Sequence, residues 1–113
     1  HNADGINALK EQIEYLHYNK IHIIFGMVND KDTDGILNAL PKHATYYFTK
    51  ASIPRAMPEL QLTEKATAAG LTGKSFPHVS LAMQEAIAHA HKDDLILVCG
   101  SVFLIAEVGV EMF

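Results

Sequence analysis

Hydrophobic and polar positions change period along this chain in a regular way. Residues 4–19 repeat with helical spacing: Ile6, Leu9, Ile13 and Leu16 form one apolar stripe, and Asn7, Lys10, Glu11 and Glu14 fall opposite it. The period then collapses. Residues 21–28 (Ile-His-Ile-Ile-Phe-Gly-Met-Val) are nearly continuously apolar, the pattern of a strand covered on both faces of a parallel sheet. A short helix is predicted from Thr33 to Leu40, with Asp32 or Thr33 as N-cap, and residues 44–49 are rich in β-formers. Pro58 is expected to open a helix as its first residue, running to about Ala69 and stopped by Gly70. Residues 74–78 read as a short strand interrupted by Pro77, hence near a sheet edge. Val79, Ala82, Met83, Ala86, Ile87 and Ala90 mark a further helical stripe, with Ser80 as candidate N-cap. Asp93-Asp94 introduces a buried strand over 95–99, and after Gly100 a last helix follows, apolar except for Glu107 and Glu111.

Strand and helix alternate throughout, which predicts an α/β three-layer sandwich with a mostly parallel, Rossmann-like sheet. No repeat, linker or low-complexity segment divides the chain, so residues 1–113 read as a single domain. The start is unusual. A helix opening at residue 4 is ordinarily fed by a strand, and none precedes it here. The chain therefore reads as a fragment of something longer, with a sheet edge left for another element to fill. The apolar final helix, ending in Met112-Phe113, has to be buried somewhere, and with the missing strand it predicts self-association of the fragment.

Composition narrows the function classes. Hydrophobic residues at 49% with 19% charged describe an ordinary globular domain, large enough to hold its own core. A net charge of −4 and the lack of any Lys/Arg run argue against a nucleic-acid partner. Cys99 is the one cysteine and lies in a run of Leu, Ile and Val, so it is expected to be a small buried hydrophobe. No 18-residue apolar stretch or signal pattern occurs, so no membrane association is expected and a cytoplasmic parent is the expectation.

Candidate chemistry concentrates at predicted strand ends, where open α/β sheets bind ligands. Residues 68–75 (Ala-Ala-Gly-Leu-Thr-Gly-Lys-Ser) end like a phosphate loop, but Ala68 stands where glycine is required. A helix precedes them and Phe76-Pro77 follows, so a helix-ending turn is expected. Of the seven histidines, His89 and His91 lie two apart and point to different faces, and no metal site is expected from this chain alone. Gly100-Ser101 joins a strand directly to a helix, so Ser101 either caps that helix or helps hold an anion at its positive end. Asp30-Lys31-Asp32 is either a solvated turn or a pair of groups for a substrate amine and carboxylate. Arg55, between Pro54 and Ala56, is either a surface residue or a carboxylate clamp.

Four phrases occur in order: His1-Asn2 with Gly5 three further on; Phe25-Gly26 followed by Asp30-Lys31-Asp32; Pro54-Arg55-Ala56; and Asp94 leading through Val98 to Gly100-Ser101. Over essentially the whole chain they resemble the C-terminal domain of the Mur ligase superfamily, and Asp-Lys-Asp with Pro-Arg-Ala is most similar to the folylpolyglutamate synthase/dihydrofolate synthase branch. Ala3 replaces a proline common in the superfamily, Cys99 stands where threonine is frequent, and the aspartate usual just before the His-Asn pair is absent.

The resemblance implies an ATP-dependent ligase that joins L-glutamate to a folate or dihydropteroate carboxylate. ATP phosphorylates the carboxylate, the glutamate amine attacks the acyl phosphate, and the amide, ADP and phosphate result. ATP and Mg2+ are then held mainly by a central domain that this chain lacks, and the fragment alone is expected to bind neither well and to be inactive. Carried over residue by residue, His1 would be the catalytic-site residue and, with Asn2, approach the nucleotide. Asp30, Lys31, Arg55 and Ser101 would line the glutamate site, with Lys31 pairing with a glutamate carboxylate. A peptidoglycan-precursor ligase, a non-catalytic α/β binding module and an interaction domain stay open beside this reading.

Overall fold

The computed structural model describes residues 3–14, 18–29, 32–50 and 54–100. Four helices and four strands alternate: α1 (Ala3–Glu14), β1 (Ile21–Gly26), α2 (Thr33–Ala39), β2 (Thr45–Phe48), α3 (Glu59–Ala68), β3 (Thr72–Ser75), α4 (Val79–His89) and β4 (Leu95–Gly100). The strands form one all-parallel sheet in the order β3-β2-β1-β4. The α/β class expected from the alternation is therefore correct.

Connection handedness explains the layers. From β1 through β2 to β3 the chain steps in one direction, and its helices α2 and α3 bury Ile36, Leu37, Leu62 and Ala66 on one face. It then reverses, returning past β2 and β1 to add β4 on the far side. A right-handed crossover in the opposite direction lays its helix on the opposite face. α4 accordingly packs on the other side of the sheet, where Val79, Ala82, Met83 and Ala86 meet Ile24, Tyr47 and Val98. The sheet is thus covered on both faces, and β1 is buried at every position, as its nearly continuous apolar run requires. In α1, Ile6, Leu9 and Ile13 are buried while Asn7, Lys10, Glu11 and Glu14 are exposed, matching the expected stripe.

Several boundaries move. α1 is described over Ala3–Glu14 and does not reach residue 19: Tyr18 and Asn19 lie outside any helix, and Asn19 N–H donates to the Asp93 carbonyl at 2.8 Å. Leu16, the last member of the expected stripe, lies outside the described residues. Pro58 is the N-cap of α3, one position earlier than the first-residue place expected for it. At the other end the expectation about Gly70 holds. Gly70 N–H donates to the Thr67 carbonyl and Leu71 N–H to the Ala66 carbonyl, each at 3.0 Å, a Schellman arrangement with glycine at φ +91°. Lys42 Nζ completes that end by donating to the Ala69 carbonyl at 2.8 Å.

The third strand is Thr72–Ser75, two residues ahead of the predicted segment, and it is an edge strand as expected. Gly73-Lys74-Ser75 thus pairs with β2 as extended backbone and forms no phosphate-binding loop. His78, not Ser80, is the N-cap of α4, with no side-chain capping bond, because the helix already begins at Val79. Ile87 was counted in the core stripe but is 58% exposed, its position turned past the width of sheet that α4 covers. The final helix expected after Gly100 lies outside the described residues.

At the carboxyl ends of the paired strands β1 and β4, Gly26 stands opposite Gly100. Gly100 has φ +129°, and a Cβ built on it overlaps the Gly26 carbonyl oxygen. Gly100→Ala is expected to lower unfolding free energy by about 3 kcal/mol or more, combining a disfavoured φ with backbone overlap. A urea melt should show this as a lower midpoint at unchanged slope; an unchanged midpoint would refute it. Cys99, next to it, is buried, and desolvation pushes its thiol up to about 12. It is expected to resist iodoacetamide at pH about 8 until the protein is unfolded, as mass spectrometry of alkylated samples will show.

Candidate functional site at the sheet's carboxyl edge

The reversal of strand order falls between β1 and β4, and the crevice outside the carboxyl ends of such a pair is where open α/β sheets bind ligands. The backbone beyond these ends is unusually well tied. Past β1, the Met27 carbonyl accepts from Met57 N–H at 2.8 Å, and Asn29 N–H donates to the Arg55 carbonyl at 3.3 Å. Val28 and Ala56 thereby form an isolated antiparallel bridge. This short clasp joins the segment leaving β1 to the segment leaving β2. Thr49 N–H adds a further tie, donating to the Phe25 carbonyl at 2.9 Å.

Arg55 sits in the clasp turn with an exposed side chain, beside the segment that leads to residues 30 and 31. The structure therefore brings its loop together with the loop after β1, although the two are some 25 residues apart in sequence. His1, Asn2, Asp30, Lys31 and Ser101 lie outside the described residues, so of the expected site only Arg55 is placed directly. Gly100, which precedes Ser101, is on β4 opposite Gly26. Thr49 is fully buried at the same end, and its Oγ1 has no hydrogen-bond partner among the described residues.

The amino end of the sheet holds a polar network that the sequence analysis did not single out. His22 is 4% exposed on β1, and its Nε2 lies 2.8 Å from Asp94 Oδ2 while its Nδ1 lies 2.9 Å from the Tyr47 hydroxyl. With the Nε2 proton donated to the carboxylate, a neutral ring leaves Nδ1 to accept from the Tyr47 O–H. Asp94 Oδ2 also accepts from His91 N–H at 2.9 Å, and Oδ1 from Lys20 N–H at 3.2 Å. These bonds, the His91 N–H first and the His22 ring second, hold the Asp94 carboxyl below the usual carboxylate range. Burial, reinforced by the negative charges of Glu85 and Asp94, pushes the Tyr47 hydroxyl up. The available signal was a lone histidine in an otherwise apolar strand, with an acid heading the strand that became its neighbour. The apolar pattern concealed it.

Among the described residues no group of three or more His, Cys, Asp or Glu is placed to hold a metal ion. Nor is any helix of the described residues long and apolar enough to cross a membrane.

The family model for the "Mur ligase, glutamate ligase domain" matches residues 1–102. This chain belongs to that family. It is 31% identical over 108 residues to a protein of Haloferax volcanii described as a probable bifunctional folylpolyglutamate synthase/dihydropteroate synthase, covering 95% of this chain and 13% of that protein. Escherichia coli FolC in complex with DHPP and ADP superposes with a TM-score of 0.84 at 32% identity, over 95% of this chain and 25% of the FolC chain. A bifunctional folylpolyglutamate synthase/dihydrofolate synthase with Mn, AMPPNP and L-glutamate bound superposes at 0.83 with 27% identity, again over 95% of this chain and 26% of the other. This chain therefore spans from 13% to 26% of the length of these relatives.

The Asp94 network gives a pH prediction. A carboxyl whose folded value is depressed contributes stability that is present above its unfolded value, near about 4, and is lost as pH falls through the folded value. Asp94→Asn is expected to destabilise the protein at neutral pH, with the difference from the parent shrinking steadily below pH about 4. Denaturant melts of both proteins at several pH values between about 7 and 3 check this; a difference independent of pH would count against the charged network.

Proposed function

We propose that this chain is the glutamate ligase domain of an ATP-dependent ligase that forms an amide between L-glutamate and the carboxylate of a folate or dihydropteroate. The single observation that carries this reading is the clasp next to the switch point, where the loops after β1 and β2 are bonded together at the carboxyl ends of the sheet. Family membership and the relatives with ADP, AMPPNP or L-glutamate bound support it.

In this reading the domain's task is to hold glutamate. Lys31 and Arg55 pair with its carboxylates, Arg55 by a planar fork suited to bidentate contact. Asp30 accepts from the amine before it attacks, and Ser101 donates a further hydrogen bond at the start of the segment after β4. His1 and Asn2 approach the nucleotide from the same side. Orienting the amine toward the activated carboxyl is an entropic contribution to rate that needs no reacting group from this domain. The described residues provide neither a metal ligand set nor a phosphate loop, since Gly73-Lys74-Ser75 is strand, so no step through Mg2+ or ATP is derived from them. We assign both to the part of the full-length protein outside this chain, and expect this chain alone to be inactive.

The test is an assay of the full-length protein for ATP-dependent joining of labelled glutamate to dihydropteroate and to tetrahydrofolate. Lys31→Ala is expected to raise KM for glutamate by about tenfold to a hundredfold, the loss of one charge-assisted hydrogen bond in a closed site. KM for ATP should change little. Ligation onto a peptidoglycan precursor, with none onto either folate, would move the protein to the other branch of the superfamily. Silence with every acceptor would overturn the ligase reading.

A further inference from the structure

The sheet face under α4 is only partly roofed. α4 packs on β1 and β2, leaving the edge strand β3 beside it, and between them opens a cavity of about 550 Å3. It runs along β2 and β3, from Thr45 and Thr72 at the start of those strands to Phe76 just past the end of β3. The switch point with Gly26 and Gly100 lies between β1 and β4. The described residues lining the cavity include neither of these glycines nor Arg55, and its size is within the range of small-molecule sites.

Its lining is specific in chemistry. Tyr47 and Phe76 form an aromatic floor, their rings 5.9 Å apart and tilted by 31°. Tyr47 is 4% exposed and its hydroxyl is committed to His22, so it offers the cavity a small apolar surface beside the half-buried Phe76. Lys74 stands on the β3 wall, exposed, with no ion pair or hydrogen bond among the described residues. Glu85 stands on the α4 wall with its carboxylate only loosely engaged. Oε2 is 3.6 Å from His89 Nδ1, which donates its shorter bond, 2.8 Å, to the Glu85 backbone carbonyl. A cation on one wall and an anion on the other thus flank an apolar floor.

We propose that this cavity binds an aromatic amino acid as its zwitterion, the ring on Tyr47 and Phe76, the carboxylate on Lys74 and the ammonium on Glu85. A plain aromatic acid leaves Glu85 facing the ligand without a donor, and a plain aromatic amine leaves Lys74 without an acceptor. A second carboxylate, as in glutamate, would meet the ring floor or the Glu85 charge, so glutamate is disfavoured. The inference does not depend on the ligase reading, because its ligand contacts are Tyr47, Lys74, Phe76 and Glu85, and Arg55 is not among the described residues that line this cavity.

Calorimetric titration of the full-length protein with L-tryptophan, with and without saturating L-glutamate, tests it. Expected is saturable one-site binding that glutamate does not displace and Arg55→Ala does not change. Lys74→Ala and Glu85→Gln should each weaken it about tenfold, as should replacing the ligand by indole-3-propionate or tryptamine, which each lack one charge. Both side chains are at the surface, so neither change should disturb folding. No saturable heat up to about 10 mM tryptophan would overturn the proposal, because affinity weaker than that amounts to no built site. So would an affinity that both substitutions leave unmoved, or displacement by glutamate.

Discussion

Parallel pairing of β1 with β4 is the contact on which the architecture turns. β4 is the last strand of the described chain, yet it bonds to the first, from Ile21 beside Leu95 to Gly26 beside Gly100. Once that pairing is made, right-handed crossovers leave no freedom about the faces. The helices leading outward to β3 take one side, and the helix leading back takes the other. The strand ends meet so closely at Gly26 and Gly100 that a methyl group on the latter has no room.

The two ends of the sheet are stabilised by different means. At the carboxyl end, exit loops are bonded to one another backbone to backbone, which fixes the position of Arg55's segment without consuming its side chain. At the amino end, a buried carboxylate gathers donors from three places in sequence, Lys20, His22 and His91, and the imidazole passes the chain of bonds to Tyr47 on the neighbouring strand. Burying such groups costs desolvation, and that cost is tolerable only because each is satisfied. At the carboxyl end, Thr49 Oγ1 is buried with no partner among the described residues.

Belonging to the glutamate ligase domain family gives this division a functional sense. In the proposed function this domain orients one substrate for chemistry organised elsewhere in a longer protein, and so needs a firm sheet and well-held exit loops more than reactive groups of its own. The described residues fit that description. They contain well-tied loops and no metal cluster, and the sequence that imitates a phosphate loop is an edge strand.

Much of this was legible in the residues because it depends on local periodicity. The nearly continuous apolar run of β1 requires cover on both faces, the stripe Ile6, Leu9, Ile13 requires one buried side on α1, and Gly70 can end a helix where most other residues cannot. The ordered phrases around Gly26, Arg55 and Gly100 carried the family resemblance. What local pattern does not encode is which strands become neighbours. Ile87 belongs to a helical stripe, but its exposure depends on how much sheet α4 covers. His22 reads as an interruption in a strand until β4 delivers Asp94 and β2 delivers Tyr47 to it. The sequence by itself determined the alternation of elements and most of their buried faces. Only the tertiary structure decided the strand order, the clasp between exit loops and the His22 network, because these are contacts between distant segments whose register no periodicity records.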